Sequence, residues 1–224
     1  WVARMIMLGL YATGKVPFKH VYLHGLVRDK DRQKMSKSKG NVIDPLGVMD
    51  LYGADALRMA LVFGVSAGND IIISEDKIKA HRNFANKIWN ASRFVLSKLN
   101  DNFKPNANYK KSKNADDKDI LKALDQTVEK MTKSLDKFEF HLAAEGIYHF
   151  FWHNFCDKYL EAVKTRLPNP DEAANNDVND QEMARQVLYK VLTDSLKLLH
   201  PFMPYVTEAV YQEMPTKTKD YLIV

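Results

Sequence analysis

Apolar residues in WVARMIMLGLYAT recur at three- and four-residue spacing: Val2, Met5, Ile6, Leu8 and Gly9. The pattern predicts a buried helix over residues 1–13, closed by Gly14. After Pro17, VYLHGLV (21–27) is short and rich in β-branched and aromatic residues, which predicts a buried strand. Helix, loop and strand together form an α/β unit, the tail of a parallel-sheet region. RDKDRQKMSKSKGN (28–41) has no apolar period and predicts a loop. Asp44-Pro45 predicts a helix start, because Asp can cap and Pro suits the first turn. Gly53 stops that helix, and ADALRMALVFG (54–64) begins another. Helical rhythm then dominates. Over residues 75–99, Ile78, Phe84, Ala85, Ile88, Ser92, Val95 and Leu99 share one side at about 100° per residue. DNFKPNANYKKSKNADDKD is polar and predicts a mobile linker over about 101–117. Further helices are predicted over about 117–136, 140–166, 180–199 and 204–213, with an acidic loop over 169–180.

Composition narrows the class. The chain has 224 residues, 46% of them hydrophobic, enough for a real core. A net charge of +5 and a pI of about 9.0 suit a polyanionic partner, or an ordinary Lys-rich surface. The single cysteine, Cys156, excludes an internal disulfide and fits a reducing compartment. No apolar run approaches the roughly 18 residues of a membrane span. The opening in helical rhythm, without a leader pattern, reads as part of a longer protein.

Two stretches could carry chemistry. Residues 28–40 hold six Lys/Arg and two Asp, with Lys34, Lys37 and Lys39 crowded into six positions. Cations so close need solvent or an anion, and a loop after a strand is where α/β folds bind ligands. A solvated basic loop or a localisation run would give the same composition. The second stretch is the long helix, with six Lys/Arg and no acid between residues 77 and 98. Arg82, Asn83, Asn86, Asn90 and Arg93 fall within about 60° of Lys79, opposite the apolar stripe. Lys87 and Phe94 lie beside them. An aromatic ring among amides and cations suits single-stranded nucleic acid; a solvated face with Phe94 covered by a later helix would look the same. YHFFWHNFCDKYLE (148–161) places His149 and His153 four apart, but its Phe and Tyr spacing is that of a helix core, so no metal is assigned.

The order of motifs supplies more. WVARM (1–5), GLVRDKDRQKMSKSKGNVIDP (25–45), YGADALRMAL (52–61), RNFANKIWNASRF (82–94), FCDKYLE (155–161) and HPFMPYVTEAVY (200–211) resemble, in that order, the valyl-tRNA synthetases, a family of class I aminoacyl-tRNA synthetases. The resemblance implies a mainly α chain. A remnant of a Rossmann catalytic domain (1–43) carries the KMSKS loop, a helical connector follows (44–76), and an α-helical anticodon-binding bundle ends the chain (77–224). It implies that Lys34 and Lys37 stabilise the pyrophosphate leaving ATP, with Ser36 and Ser38 as hydrogen-bond donors and Met35 packing within the ATP-binding loop. Trp1 matches a tryptophan of the amino-acid pocket. Lys79, Arg82, Asn83, Asn86, Lys87, Asn90, Arg93 and Phe94 would bind tRNA. The implied ligands are ATP with Mg²⁺, valine and tRNA(Val), in a cytoplasmic monomer without membrane contact. The family's H-x-G-H signature is not in this chain, so it is expected to be catalytically incomplete alone, with the 28–41 loop mobile or misplaced. The rivals are an isoleucyl- or leucyl-tRNA synthetase, a stand-alone helical RNA-binding module, and a protein-interaction bundle.

Overall fold

The computed structural model describes residues 1–99, 103–167, 177–217 and 219–223. The elements are α1 (Val2–Thr13), β1 (Val27–Arg28), α2 (Pro45–Tyr52), α3 (Ala54–Val62), β2 (Ile71–Ile72), α4 (Glu75–Lys98), α5 (Ala115–Asp136), α6 (Phe140–His149), a π-helical stretch (Phe150–Leu160), α7 (Glu161–Arg166), α8 (Val178–Leu199) and α9 (Pro204–Gln212). The chain is mainly α. Its helices begin where side chains can satisfy the first free amides. Asp44 accepts from the amides of Leu46 (3.2 Å) and Gly47 (3.1 Å), with Pro45 in the first turn. Ser74 accepts from Lys77 N (3.2 Å) and starts α4, and Asn114 accepts from Asp116 N (2.8 Å) and starts α5.

Two cores form. The large one gathers Phe84, Ile88 and Val95 of α4, Leu124 of α5, Ile147 of α6, Phe151 and Phe155 of the π-helical stretch, and Leu188, Leu192 and Leu196 of α8. Each such side chain, fully buried, contributes about 1.5–3 kcal/mol. A satellite core holds Ala56, Leu57 and Ala60 of α3 with Ile73 and Ile78, and Met35, Val48 and Met49 pack against it. α4 runs through both, giving Ile78 to the satellite and its remaining apolar stripe to the large core. Among the residues of that predicted stripe, Ala85 is half-buried and the others are buried.

Two buried polar clusters tie the elements. Asp117, 0% exposed, accepts from Ser112 Oγ (2.6 Å), Tyr159 OH (2.7 Å) and Arg166 Nη1 (2.7 Å), while Arg166 also donates to Asp180 (2.8 Å). Burial alone would raise the Asp117 carboxyl, but these donors outweigh it and hold the carboxyl below its ordinary value. Farther along, Asp55 of α3 accepts from the amides of Tyr205 (3.1 Å) and Val206 (2.7 Å) at the start of α9, and Arg58 donates to the carbonyls of Pro201 (3.0 Å) and Phe202 (3.3 Å). α3 is thereby clamped to the junction before α9 and to its first turn.

Three expectations change. α1 forms and ends at Gly14 (φ 67°), but it is not buried: Trp1 is 85% exposed, and Met5, Leu8 and Tyr11 are exposed too. Periodicity identifies the helix, whereas burial needs an element to cover it, and none of the described elements does. The strand expected over 21–27 shrinks to Val27–Arg28, paired in parallel with Ile71–Ile72. Val21, Tyr22 and Leu23 are exposed, lacking a neighbouring strand. Gly25 is required here, because a Cβ would lie 2.0 Å from the Asn69 carbonyl oxygen. The stretch expected as a mobile linker is packed over its described part. Phe103 is buried against Tyr189 (5.2 Å between rings), and Gln186 of α8 accepts from Asn106 N (2.8 Å) and donates to the Lys104 carbonyl (3.0 Å). Residues 100–102, and most of the acidic loop expected over 169–180, lie outside the described residues; α8 begins at Val178.

Candidate nucleotide loop and nucleic-acid groove

The lysine loop is closed on itself by hydrogen bonds between its two ends. Asp29 accepts from the amides of Asp31 (3.0 Å) and Gln33 (2.7 Å) and from Asn41 Nδ2 (2.7 Å). Asn41 Oδ1 in turn accepts from Ser36 N (2.9 Å). Asp29 and Asn41 thus staple the two ends of the loop, and the Asn41 hydrogen bond leads the causes that lower the Asp29 carboxyl. Lys37–Lys39 form a 3-10 turn that ends at Gly40 with φ 66°, a left-handed conformation that glycine adopts without strain. Met35 packs on the satellite core and anchors the loop from below. Lys34, Lys37 and Lys39 stay exposed, and none of the ion pairs among the described residues involves them. Ser36 Oγ and Ser38 Oγ lie 3.3 Å apart on the same side of the turn. The loop therefore presents exposed ammonium groups on a hydrogen-bonded frame, with Lys39 close enough to help lower the Asp29 carboxyl, a geometry that suits a polyphosphate.

A groove of about 490 Å³ runs between α4 and the π-helical stretch with α7. Asn83, Asn86, Lys87, Asn90 and Phe94 line it from α4, and Trp152, Cys156, Asp157 and Lys164 from across. Five of the eight residues expected to bind nucleic acid thus meet in one place. Lys79, Arg82 and Arg93 do not line it. Lys79 pairs with Glu75 (3.4 Å), Arg82 sits over the Tyr52 ring (5.8 Å), and Arg93 is exposed. Phe94 is half-buried against the large core, with Lys98 at 5.4 Å and Lys164 at 5.9 Å from its ring centre. Lys87, expected to bind nucleic acid, already donates to Asp157 (2.7 Å) and lies over the Trp152 ring (4.2 Å). Lys164 likewise donates to Glu161 (2.6 and 2.8 Å). The charged side chains lining the groove therefore cancel, Lys87 and Lys164 against Asp157 and Glu161. What remains is three amides and two aromatic rings, the equipment for base edges and faces rather than for phosphates.

The far wall was not legible from α-helical spacing. Trp152 and Asp157 are five residues apart, about 140° out of phase on an α-helix. In the π-helical stretch the i→i+5 turn brings them to one face. The clue available was compositional: a Trp, an Asp and a Cys inside one aromatic run. Burial pushes the Cys156 thiol up to about 12, so it lines the groove as an apolar group rather than a nucleophile. His149 and His153 stack at 5.6 Å, and His153 Nδ1 lies 3.1 Å from Asp157. Trp1 is exposed, with Arg4 over its ring at 4.8 Å.

Comparison with known proteins gives this geometry a family context. Residues 117–223 match the family model described as the anticodon-binding domain of tRNA ligase, and residues 1–74 match that of the class I tRNA synthetases (I, L, M and V). The chain is 50% identical over 218 residues to a valine–tRNA ligase of Clostridium acetobutylicum and 48% identical over 216 residues to that of Thermotoga maritima. Each alignment covers 96% of this chain and 24% of the relative, so the chain spans about a quarter of the length of the curated relatives it matches. Among solved structures, the LeuRS–tRNA–LeuAMS ternary complex of Agrobacterium radiobacter K84 shares the fold (TM-score 0.72, 22% identity, 96% of this chain and 25% of that one). The methionyl-tRNA synthetase of Mycobacterium tuberculosis with methionyl-adenylate is also similar (TM-score 0.70, 25% identity, 91% of this chain and 40% of that one). Among the described residues no helix is long and apolar enough to cross a membrane. The chain is thus similar over residues 1–74 to the class I tRNA synthetases and over residues 117–223 to the anticodon-binding domain of tRNA ligases, and over nearly all its length it is similar to about a quarter of a valine–tRNA ligase.

Proposed function

We propose that this chain serves within a valine–tRNA ligase, a monomeric cytoplasmic enzyme, and supplies the loop that handles the pyrophosphate end of ATP and the groove that receives the anticodon loop of tRNA(Val). In this reading the chain divides into the lysine-loop region (1–43), the connector (44–76) and the RNA-binding bundle (77–224). Attack of the valine carboxylate on the α-phosphate builds negative charge on the departing pyrophosphate. Lys37, with Lys34 beside it, stabilises that charge more in the transition state than in the ground state. Ser36 and Ser38 donate to phosphate oxygens. Mg²⁺ bound with the nucleotide would supply further neutralisation of its phosphates. Trp1 faces valine only when further chain covers it.

The observation that carries the proposal is the groove: Asn83, Asn86 and Asn90 on one wall, Phe94 at its edge and Trp152 opposite, in a chain half identical to a valine–tRNA ligase. Lys79, Arg82 and Arg93 flank it on α4 and meet phosphates outside it. The test is binding of the chain to the anticodon stem-loop of a valine tRNA, followed by fluorescence anisotropy over a salt series. Binding weakens with salt, by roughly 0.7 in the log–log slope for each single-strand phosphate neutralised. Phe94→Ala weakens it by about 1–3 kcal/mol, the worth of a stacked base, with unchanged helical circular dichroism. Absence of salt-dependent RNA binding would refute the groove's assignment.

A further inference from the structure

The groove holds an acid that RNA binding by itself does not explain. Asp157 stands in its wall with the side chain 44% exposed, where a carboxylate repels any phosphate that approaches. Its two oxygens touch Lys87 Nζ (2.7 Å) and His153 Nδ1 (3.1 Å). The Lys87 hydrogen bond leads the causes that hold its carboxyl below the ordinary range, so Asp157 is ionised at neutral pH. An ionised carboxylate accepts hydrogen bonds only, at about four lone-pair sites, and two contacts leave capacity free. The neighbouring Lys87 donates only, and it is held over the Trp152 ring at 4.2 Å. Beside a flat aromatic face, the groove therefore shows an acceptor next to a donor. The Watson–Crick edges of adenine and cytosine carry the complementary pair, an amino group next to a ring-nitrogen acceptor. Guanine matches in the opposite sense. Uracil has no amino group; its single donor, N3–H, is flanked by two keto oxygens, so placing it on the carboxylate with O4 at Lys87 brings O2 against Asp157 with like charge.

From this geometry we infer that Asp157 reads the exocyclic amino group of a base inserted against Trp152, and so makes the groove distinguish amino-bearing from keto bases. The inference rests on the proposed RNA-binding role and adds to it a residue that decides which base is accepted. Lys87 supplies the donor for the ring nitrogen of the same base, and His153 remains beside the carboxylate when Lys87 is replaced.

The test uses the chain with a panel of anticodon stem-loop RNAs in which loop amino groups are removed one at a time: cytosine to uracil, adenine to inosine, guanine to inosine. For the wild-type chain, one of these changes weakens binding about tenfold, the scale of one well-formed base contact. In Asp157→Ala the penalty at that position disappears. In Asp157→Asn it also falls, because the amide can turn to offer a donor to a keto oxygen. Lys87→Met keeps the penalty while lowering overall affinity. Equal penalties in the wild-type, Ala and Asn chains would overturn the inference. Loss of the penalty in Lys87→Met would do so as well, since it would reduce Asp157 to a tether for Lys87. If the wild-type chain binds none of the RNAs, the groove's role in RNA binding falls, and this inference falls with it. If it binds them all without a penalty, only the inference falls.

Discussion

Single residues in this chain are decided by whether they have a partner. Lys37 has no ion-pair partner among the described residues and stands on a stapled loop, so its charge is available to a ligand. In the ligase that carries this chain, Lys37→Ala is expected to slow valine-dependent ATP–pyrophosphate exchange by about 100-fold or more, with little change in the KM for valine, the pattern of a group acting on the transition state. His81 is the opposite case. It is buried between Phe63 (5.0 Å) and Tyr148 (6.5 Å), its Nδ1 meets no partner, and burial pushes its pKa down to about 4 from an ordinary 6.5. The unfolded chain takes up this proton first as the pH drops. Stability is therefore full above pH 6.5 and is lost as pH falls from 6.5 toward 4, by on the order of 2–3 kcal/mol. Thermal melts of His81→Leu across that range should show a flatter pH dependence than the wild-type chain; parallel curves would show that His81 is not the group responsible.

At the scale of elements, polar ties matter as much as apolar stripes. Asp117 and Arg166 hold the starts of α5 and α8, the π-helical stretch and α7 in one network. Arg166→Met leaves the buried Asp117 charge without its principal partner and should destabilise the chain by about 3–5 kcal/mol in urea unfolding. Asp117→Asn together with Arg166→Met should recover part of that loss. The elements most legible in the sequence were those whose information is local. The Asp44-Pro45 start, the Gly53 stop and the apolar stripe of α4 each follow from a few neighbouring residues. The near wall of the groove, Asn83 to Phe94, was legible for the same reason. The far wall was not, because the π-helical stretch changes the period on which face assignment depends. Nor was the exposure of α1, since a periodic pattern says which face is apolar but not what covers it. The packing of residues 103–112 was hidden by its composition: only Phe103 and Tyr109 carry apolar contact, and their partners lie on α8 and beyond.

The whole molecule is joined by α4, which belongs to both cores, and by the clamp of Asp55 and Arg58 on the junction before α9. Asp55 accepts the first amides of α9 as an N-terminal cap does. Asp55→Ala should lower stability by about 1–2 kcal/mol and loosen the connector, read as faster amide exchange in α3 with α5 and α6 unaffected. Uniform faster exchange throughout would mean instead that the two cores melt as one unit. The clamp also has a meaning in time. Its partners are 150 and 151 positions apart in the chain. A ribosome adding about 5–20 residues per second needs roughly 8–30 s to pass from Asp55 to Val206. For that interval the carboxylate has been made and the amides that cap it have not, so during synthesis the clamp closes only once α9 has emerged.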